Sequence, residues 1–189
     1  MVTMAGFTTD KVSPHGYLPD YLRLAADLGT AAVVCEVGVK FGESLVLWQH
    51  LFPHSPAIIG VDNDPNATWP EGTHRIVAGQ DDPDLGNRVL QHAPGGCDLI
   101  VDDASHLGPL TAAAFADLWP LVKPGGYYVV EDWADPWVDP ELPRWSQIDP
   151  QWAGKELVDY VPELIKSLKD GAHTVTYTWQ GLAIIRRRL

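Results

Sequence analysis

Short, unbroken apolar runs rich in Val and Ile recur along the chain and alternate with segments of helical length. Five stand out: AAVVCEVGV from Ala31, AIIGVD from Ala57, HRIVAG from His74, CDLIVDD from Cys97 and GYYVVEDW from Gly126. Continuous rather than alternating hydrophobicity suits strands buried on both faces, as in a parallel sheet. Between them the periodicity predicts helices over 17–28, 44–51, 83–92 and 110–118, joined by short connections. Strand and helix alternating in this way predict an α/β domain with helices on both faces of the sheet. Residues 134–152 break the pattern: they are rich in Pro, Trp and Asp, have no clear period, and read as a functional loop or lid. A last helix over about 155–169 precedes HTVTYTW and LAIIRRR, parted by Gln180 and Gly181, which predicts an antiparallel hairpin.

Length adds that one core is enough. A chain of 189 residues buries roughly 70% of its unfolded surface as a single domain. No apolar run approaches the roughly 18 residues needed to cross a bilayer, and MVTMAGFTTDK lacks the basic and apolar segments of a secretory leader. The expectation is a cytoplasmic, membrane-free domain spanning 1–189. Cys35 and Cys97 have no CxxC spacing and read as core thiols. The net charge of −12 repels phosphate backbones, and the basic run Arg186, Arg187 and Arg188 reads as a solvated strand end. Nucleic acid is therefore not an expected partner. A cationic cofactor or a metal ion suits an acidic chain.

The first strand runs into Glu36-Val37-Gly38-Val39-Lys40-Phe41-Gly42-Glu43-Ser44, a strand-to-helix turn with two glycines that let backbone approach a ligand closely. The second ends Gly60-Val61-Asp62-Asn63-Asp64-Pro65, which places a carboxylate where a ribose diol can be held. Asp62 is the first choice for that contact, although Asp-Asn-Asp-Pro also suits a helix cap or turn. After the third strand, Gln80 and Asp81 are positioned to meet an adenine amino group, while Asp82-Pro83 also reads as a helix start.

These segments, EVGVKFGES and GVDNDP, together with DLIVDDASH and LVKPGGYYVVEDW, resemble the class I methyltransferase fold, and in particular the macrocin and mycinamicin sugar O-methyltransferases. The resemblance spans roughly 31–133; cephalosporin-hydroxylase-type sequences share some of its motifs. It implies a Rossmann-like, mostly parallel seven-stranded sheet with a reversed last strand. It further implies S-adenosylmethionine over the first two strand ends and a divalent metal near an acceptor hydroxyl. Carried over residue by residue, the cofactor falls to Glu36, Gly38, Gly42, Ser44, Asp62, Asn63, Gln80 and Asp81, with Asp102 facing the cofactor or buttressing the site. Two departures are visible: Lys40 stands where many methyltransferases carry Gly, and 189 residues leave no room for the extra N-terminal domain of some relatives.

The fourth strand ends Asp102-Asp103-Ala104-Ser105-His106 and the fifth Glu131-Asp132. As neighbours about 4.8 Å apart, these ends bring carboxylates together, where they repel one another unless a cation is bound. An all-oxygen set of Asp103, Glu131 and Asp132 suits Mg²⁺, with Mn²⁺ or Ca²⁺ as alternatives, better than Zn²⁺. The resemblance gives the same assignment. His106 lies within a turn of Asp103, and an imidazole with an ordinary pKa of roughly 6.5 can take the proton a hydroxyl loses on methylation. His106 is the expected general base, and a vicinal diol on a sugar or a catechol is the expected small-molecule acceptor. Trp133, Trp137, Trp145 and Trp152 cluster around the lid, either to stack on such a ring or to anchor the loop. His15, His50, His54, His74, His92 and His173 show no ligand spacing and receive no role. A second copy of the chain is a candidate partner for the Pro/Trp-rich loop. Two rival readings remain: an NAD-dependent dehydrogenase, whose G-x-G-x-x-G fingerprint is absent, and an S-adenosylmethionine-binding protein that catalyses another step or acts as a partner.

Overall fold

A computed structural model describes residues 8–133, 155–168, 173–178 and 181–189. The whole of the 134–152 loop assignment, with Trp137, Trp145 and Trp152, lies outside the described residues, as does Gln180 of the hairpin turn.

The strands are β1 (Val34–Val37), β2 (Ile58–Asp62), β3 (His74–Val77), β4 (Cys97–Asp102), β5 (Val122–Val130), β6 (His173–Tyr177) and β7 (Ala183–Arg187). They form one seven-stranded sheet in the order β3-β2-β1-β4-β5-β7-β6. The first five are parallel, and β7 runs antiparallel to both β5 and β6. The helices are α1 (Leu18–Leu28), α2 (Glu43–Leu51), α3 (Leu85–Leu90), α4 (Gly108–Leu118) and α5 (Leu157–Ser167). Cys35, Val37, Ile59, Val61 and Ile100 pack on one face against Val89, Phe115 and Val161 of α3, α4 and α5. Val34, Ile58, Leu99, Val101 and Val129 pack on the other against Tyr21, Leu24, Leu45 and Trp48 of α1 and α2. Both cysteines are buried and free, as expected.

The strand centres match the sequence reading, and the boundaries shift for identifiable reasons. β5 begins four residues before Gly126: Lys123-Pro124-Gly125 reads as a break, yet Val122 pairs with Cys97 across a register shift. α4 starts at Gly108 rather than at residue 110, with Pro109 in its first turn, where the missing N–H costs nothing. No helix among the described residues is long and apolar enough to cross a membrane.

Sheet order is what creates the site. From β1 the chain moves outward through β2 and β3, then returns to the other side of β1 as β4. The carboxyl ends of β1 and β4 therefore part at a topological switch point, where ligands bind in open α/β sheets.

Candidate active site

The turn after β1 is shaped by backbone requirements. Gly38 has φ 99° and Gly42 φ 74°, and a Cβ at Gly38 would overlap the carbonyl oxygen of Asp103. Lys40 is also left-handed, at φ 52°, so the position where many methyltransferases carry Gly keeps the conformation Gly takes freely, at a cost of about 1–2 kcal/mol. Asp62 organises this turn: its Oδ2 accepts the N–H groups of Val39 and Lys40, each at 2.8 Å, and its Oδ1 accepts that of Asp64 at 2.8 Å.

The third and fourth strand ends are joined through Gln80, which is buried. Its Nε2 donates to Asp102 Oδ1 at 2.8 Å, and its Oε1 accepts the Ser105 hydroxyl. Burial raises the Asp102 carboxyl to about 6, against the opposing hydrogen bond from Gln80.

Over these strand ends lies a cavity of about 610 Å³, within the 300–1,000 Å³ range of small-molecule sites. Of the residues assigned to the cofactor, Gly38, Ser44, Asp62, Asn63, Gln80 and Asp81 line it, and so do Asp103, His106 and Asp132. Three assigned cofactor residues are not in its wall. Gly42 shapes the turn from behind. Glu36 is fully buried beneath the cavity, where its Oε2 accepts from Ser44 Oγ at 2.6 Å and Trp48 Nε1 at 2.9 Å. Asp102 is 2% exposed and accepts a hydrogen bond from Gln80 behind the wall.

The chemical end of the cavity brings together Asp103, His106 and Asp132, whose ligand atoms lie within 4.8 Å of one another. His106 Nε2 is 3.7 Å from Asp132 Oδ2. His106 (φ 55°) and Asp132 (φ 53°) are left-handed, as is Lys40, so all three non-glycine residues of this kind among the described residues line the cavity. Such strain, of order 1–3 kcal/mol per residue, clusters at functional sites.

Glu131, assigned as a metal ligand, departs from this group. Its side chain turns inward, 2% exposed, to accept the Tyr21 hydroxyl and pair with Lys11 Nζ at 3.0 Å. Burial and the neighbouring Asp103 push its carboxyl well above the usual range, against Lys11 and Tyr21. The chain leaves β5 at Val130, whose ladder partner is Asp102, and turns left-handed at Asp132, so Glu131 and Asp132 take different directions beyond the strand.

Sequence reasoning missed the N-terminal contribution. Lys11 is fully buried; it hydrogen-bonds Asp103 Oδ2 and pairs with Glu36 Oε1 at 3.2 Å as well as with Glu131. Burial opposes its charge, but Glu131, Asp103 and Glu36 outweigh that and hold it well above the ordinary lysine value. The Tyr17 hydroxyl donates to Asp132 Oδ1, and His15, given no role, stacks on Tyr17 with Nδ1 3.7 Å from Asp132. Thr8, Thr9, Asp10 and Ser13 form part of the cavity wall. The segment before α1 has no hydrophobic period, so nothing in its pattern marks it as part of a site.

A switch-point cavity over a β3-β2-β1-β4-β5-β7-β6 sheet, with an acidic residue ending β2, defines the class I methyltransferase fold. The chain belongs to the methyltransferase-domain family, which matches residues 35–133. Among curated proteins it is 36% identical over 133 residues to the 8-demethyl-8-alpha-L-rhamnosyl tetracenomycin-C 2'-O-methyltransferase of Streptomyces olivaceus, covering 66% of this chain and 35% of that protein. It is 30% identical over 182 residues to the L-olivosyl-oleandolide 3-O-methyltransferase of Streptomyces antibioticus, covering 88% and 45%. Among solved structures, the MycE methyltransferase of the mycinamycin biosynthetic pathway, in complex with Mg, SAH and mycinamycin VI, superposes with a TM-score of 0.75 at 26% identity. That match covers 96% of this chain and 52% of MycE. The chain thus spans about a third to a half of the length of these relatives.

Proposed function

We propose that this chain is an S-adenosylmethionine-dependent, divalent-metal-assisted O-methyltransferase acting on a sugar hydroxyl of a small natural product. The observation that carries the reading is the convergence of Asp103, His106 and Asp132 in the wall of a cavity that Gly38, Asp62 and Gln80 also line. The relatives' names add the acceptor class, since two of them are O-methyltransferases of a rhamnosyl tetracenomycin-C and of an olivosyl-oleandolide.

The residues fit both groups. Ligands on opposite sides of Mg²⁺ or Ca²⁺ are about 4–5 Å apart, twice the metal–oxygen bond, and the donor atoms of Asp103, His106 and Asp132 fall within that span. Asp103 and Asp132 would hold the ion, which supplies Lewis acidity and orientation to the acceptor oxygen. S-adenosylmethionine supplies an electrophilic methyl on a sulfonium. Asp62, Gln80 and Asp81, which line the cavity, would hold its ribose and adenine. His106 Nε2 would accept the proton that the acceptor hydroxyl loses on methylation. Asp132 Oδ2, 3.7 Å away, would stabilise the protonated imidazole. The mirror assignment, His106 as a metal ligand, makes a different prediction.

The test is S-adenosylhomocysteine formation from S-adenosylmethionine, Mg²⁺ and a panel of deoxysugar glycosides with and without a vicinal diol. Turnover should require the diol. His106→Ala should lower kcat by about 10²- to 10⁴-fold while Mg²⁺ affinity stays within about threefold. A parallel loss of Mg²⁺ affinity would make His106 a ligand, and near-normal turnover in the variant would remove it from the chemistry.

A further inference from the structure

Among the described residues, the exposed Phe, Tyr and Trp side chains are Phe41 and Tyr177. Phe41 lines the cavity beside the turn after β1, whereas Tyr177 ends β6, on the far side of β5. β5 and β6 both run antiparallel to β7 and so point the same way, which brings the end of β6 to the sheet edge that carries the site. Tyr177 pairs with Ala183 and Ala183 with Val130, whose partner on β4 is Asp102. Tyr177 therefore stands level with the strand ends that bear the acids, two strand spacings or about 10 Å from Val130. Trp133, the residue after Asp132, bridges that interval. Its N–H donates to the Gly181 carbonyl at 3.2 Å, and its ring meets that of Tyr177 with centroids 4.7 Å apart and planes inclined at 38°. Thr178 N–H donates to the Leu182 carbonyl at 2.9 Å, so the strand end that presents Tyr177 is itself held. Trp133 Nε1 is buried with no hydrogen-bond partner, although a buried indole N–H usually has one. The ring face of Trp133, rather than its polar end, accounts for its place under Tyr177.

We propose that Tyr177, seated on Trp133, is a specificity-determining residue for the acceptor: its open face takes a flat aromatic aglycone that carries the sugar to be methylated. The inference rests on the O-methyltransferase reading of the site. The cavity offers about 610 Å³ to the cofactor and the reacting sugar together, so the remainder of a glycoside lies outside its wall. On one side that remainder is blocked by the cofactor, whose assigned residues follow β1, β2 and β3. On the other side, past Asp132, the sheet continues as β7 and β6, and the rings presented at that edge are those of Trp133 and Tyr177. One side of the Tyr177 ring rests on Trp133, and 47% of the residue stays exposed. Stacking on such a ring rewards a planar aromatic partner beyond the area it buries, a gain that a saturated ring of similar size does not share.

The probes are naphthyl, cyclohexyl and methyl α-L-rhamnosides, titrated calorimetrically into the protein in the presence of S-adenosylhomocysteine and Mg²⁺, and assayed as acceptors with S-adenosylmethionine. Wild type should bind the naphthyl glycoside about fivefold or more tightly than the cyclohexyl one. Tyr177→Thr, which keeps a β-branched residue in the strand, should abolish that preference, and Tyr177→Phe should retain it. In turnover Tyr177→Thr should raise KM for the naphthyl glycoside by the same factor, while kcat, KM for the methyl glycoside and S-adenosylhomocysteine affinity stay within about twofold. A ring that only covers the strand end would lower Tm when replaced and leave the order of the three glycosides unchanged. That result, or a wild type that binds the naphthyl glycoside no better than the cyclohexyl one, would overturn the proposal. Should Tyr177→Thr fail to fold, the comparison of naphthyl with cyclohexyl glycoside on wild type and Tyr177→Phe still decides. Selective binding of the naphthyl glycoside without S-adenosylhomocysteine formation would support the platform and count against the methyl-transfer reading; turnover of all three glycosides with equal KM would uphold methyl transfer and overturn the platform.

Discussion

Asp102 and Gly38 show how much single residues decide here. Burial lifts the Asp102 carboxyl to about 6, above the roughly 3.9 of an unfolded aspartate. Between those values the folded chain binds more protons than the unfolded one, so this residue's contribution to stability falls as pH rises from about 4 to about 6. Asp102→Asn keeps an acceptor for Gln80 Nε2 and removes the titration. Denaturant unfolding should therefore show wild type losing on the order of 3 kcal/mol relative to Asp102→Asn across that window; parallel profiles would remove the buried charge from the account. Gly38→Ala places a Cβ against the Asp103 carbonyl at a φ of 99°, so it should lower Tm and weaken S-adenosylmethionine binding at least tenfold, read by calorimetry. At this scale the sequence was partly legible. Acid-ended strands and glycine turns marked Asp62, Gln80, Asp103, His106 and Asp132, all of which reach the cavity. Which way an acid at or near a strand end points is set by the backbone there and by partners elsewhere, and the sequence shows neither, so Glu36 and Glu131 read as ligand contacts although they turn to Lys11.

Between elements, His106 owes its place to a junction of α4 and α5. Leu107 bridges Glu156, the Gly108 N–H donates to the Lys155 carbonyl at 2.7 Å, and Gly108 lies against the Tyr160 ring with no room for a Cβ. Helix α5 therefore holds the start of α4, two residues beyond His106. Gly108→Ala should push the two helices apart, lowering Tm by several degrees and kcat with it, while S-adenosylhomocysteine affinity stays within about threefold, because the cofactor end is built by β1, β2 and β3. Equal loss of cofactor affinity would show that the two ends of the cavity are not separately supported. The helices and strand centres were readable because their apolar residues repeat with a period, 3.6 or an unbroken run. The segment from Thr8 to Tyr17 was not, because it has no period, and its role depends on one lysine and one tyrosine hydroxyl reaching residues about a hundred positions away.

Across the whole molecule, the sheet order explains why one cavity holds both a nucleoside end and a chemical end. The crossover at β1 and β4 opens the crevice, β2 and β3 line one half, and β4 and β5 supply the acids of the other. The described residues build this cavity within a chain that spans about a third to a half of its relatives' length. The central claim is therefore a property of this chain alone: it binds S-adenosylmethionine at the switch point. Calorimetric titration of the purified protein with S-adenosylmethionine and with S-adenosylhomocysteine, each with and without Mg²⁺, tests it most directly. Saturable binding of both, weakened at least tenfold by Asp62→Ala, is the predicted result; absence of binding to either, in the presence and absence of Mg²⁺, would contradict it.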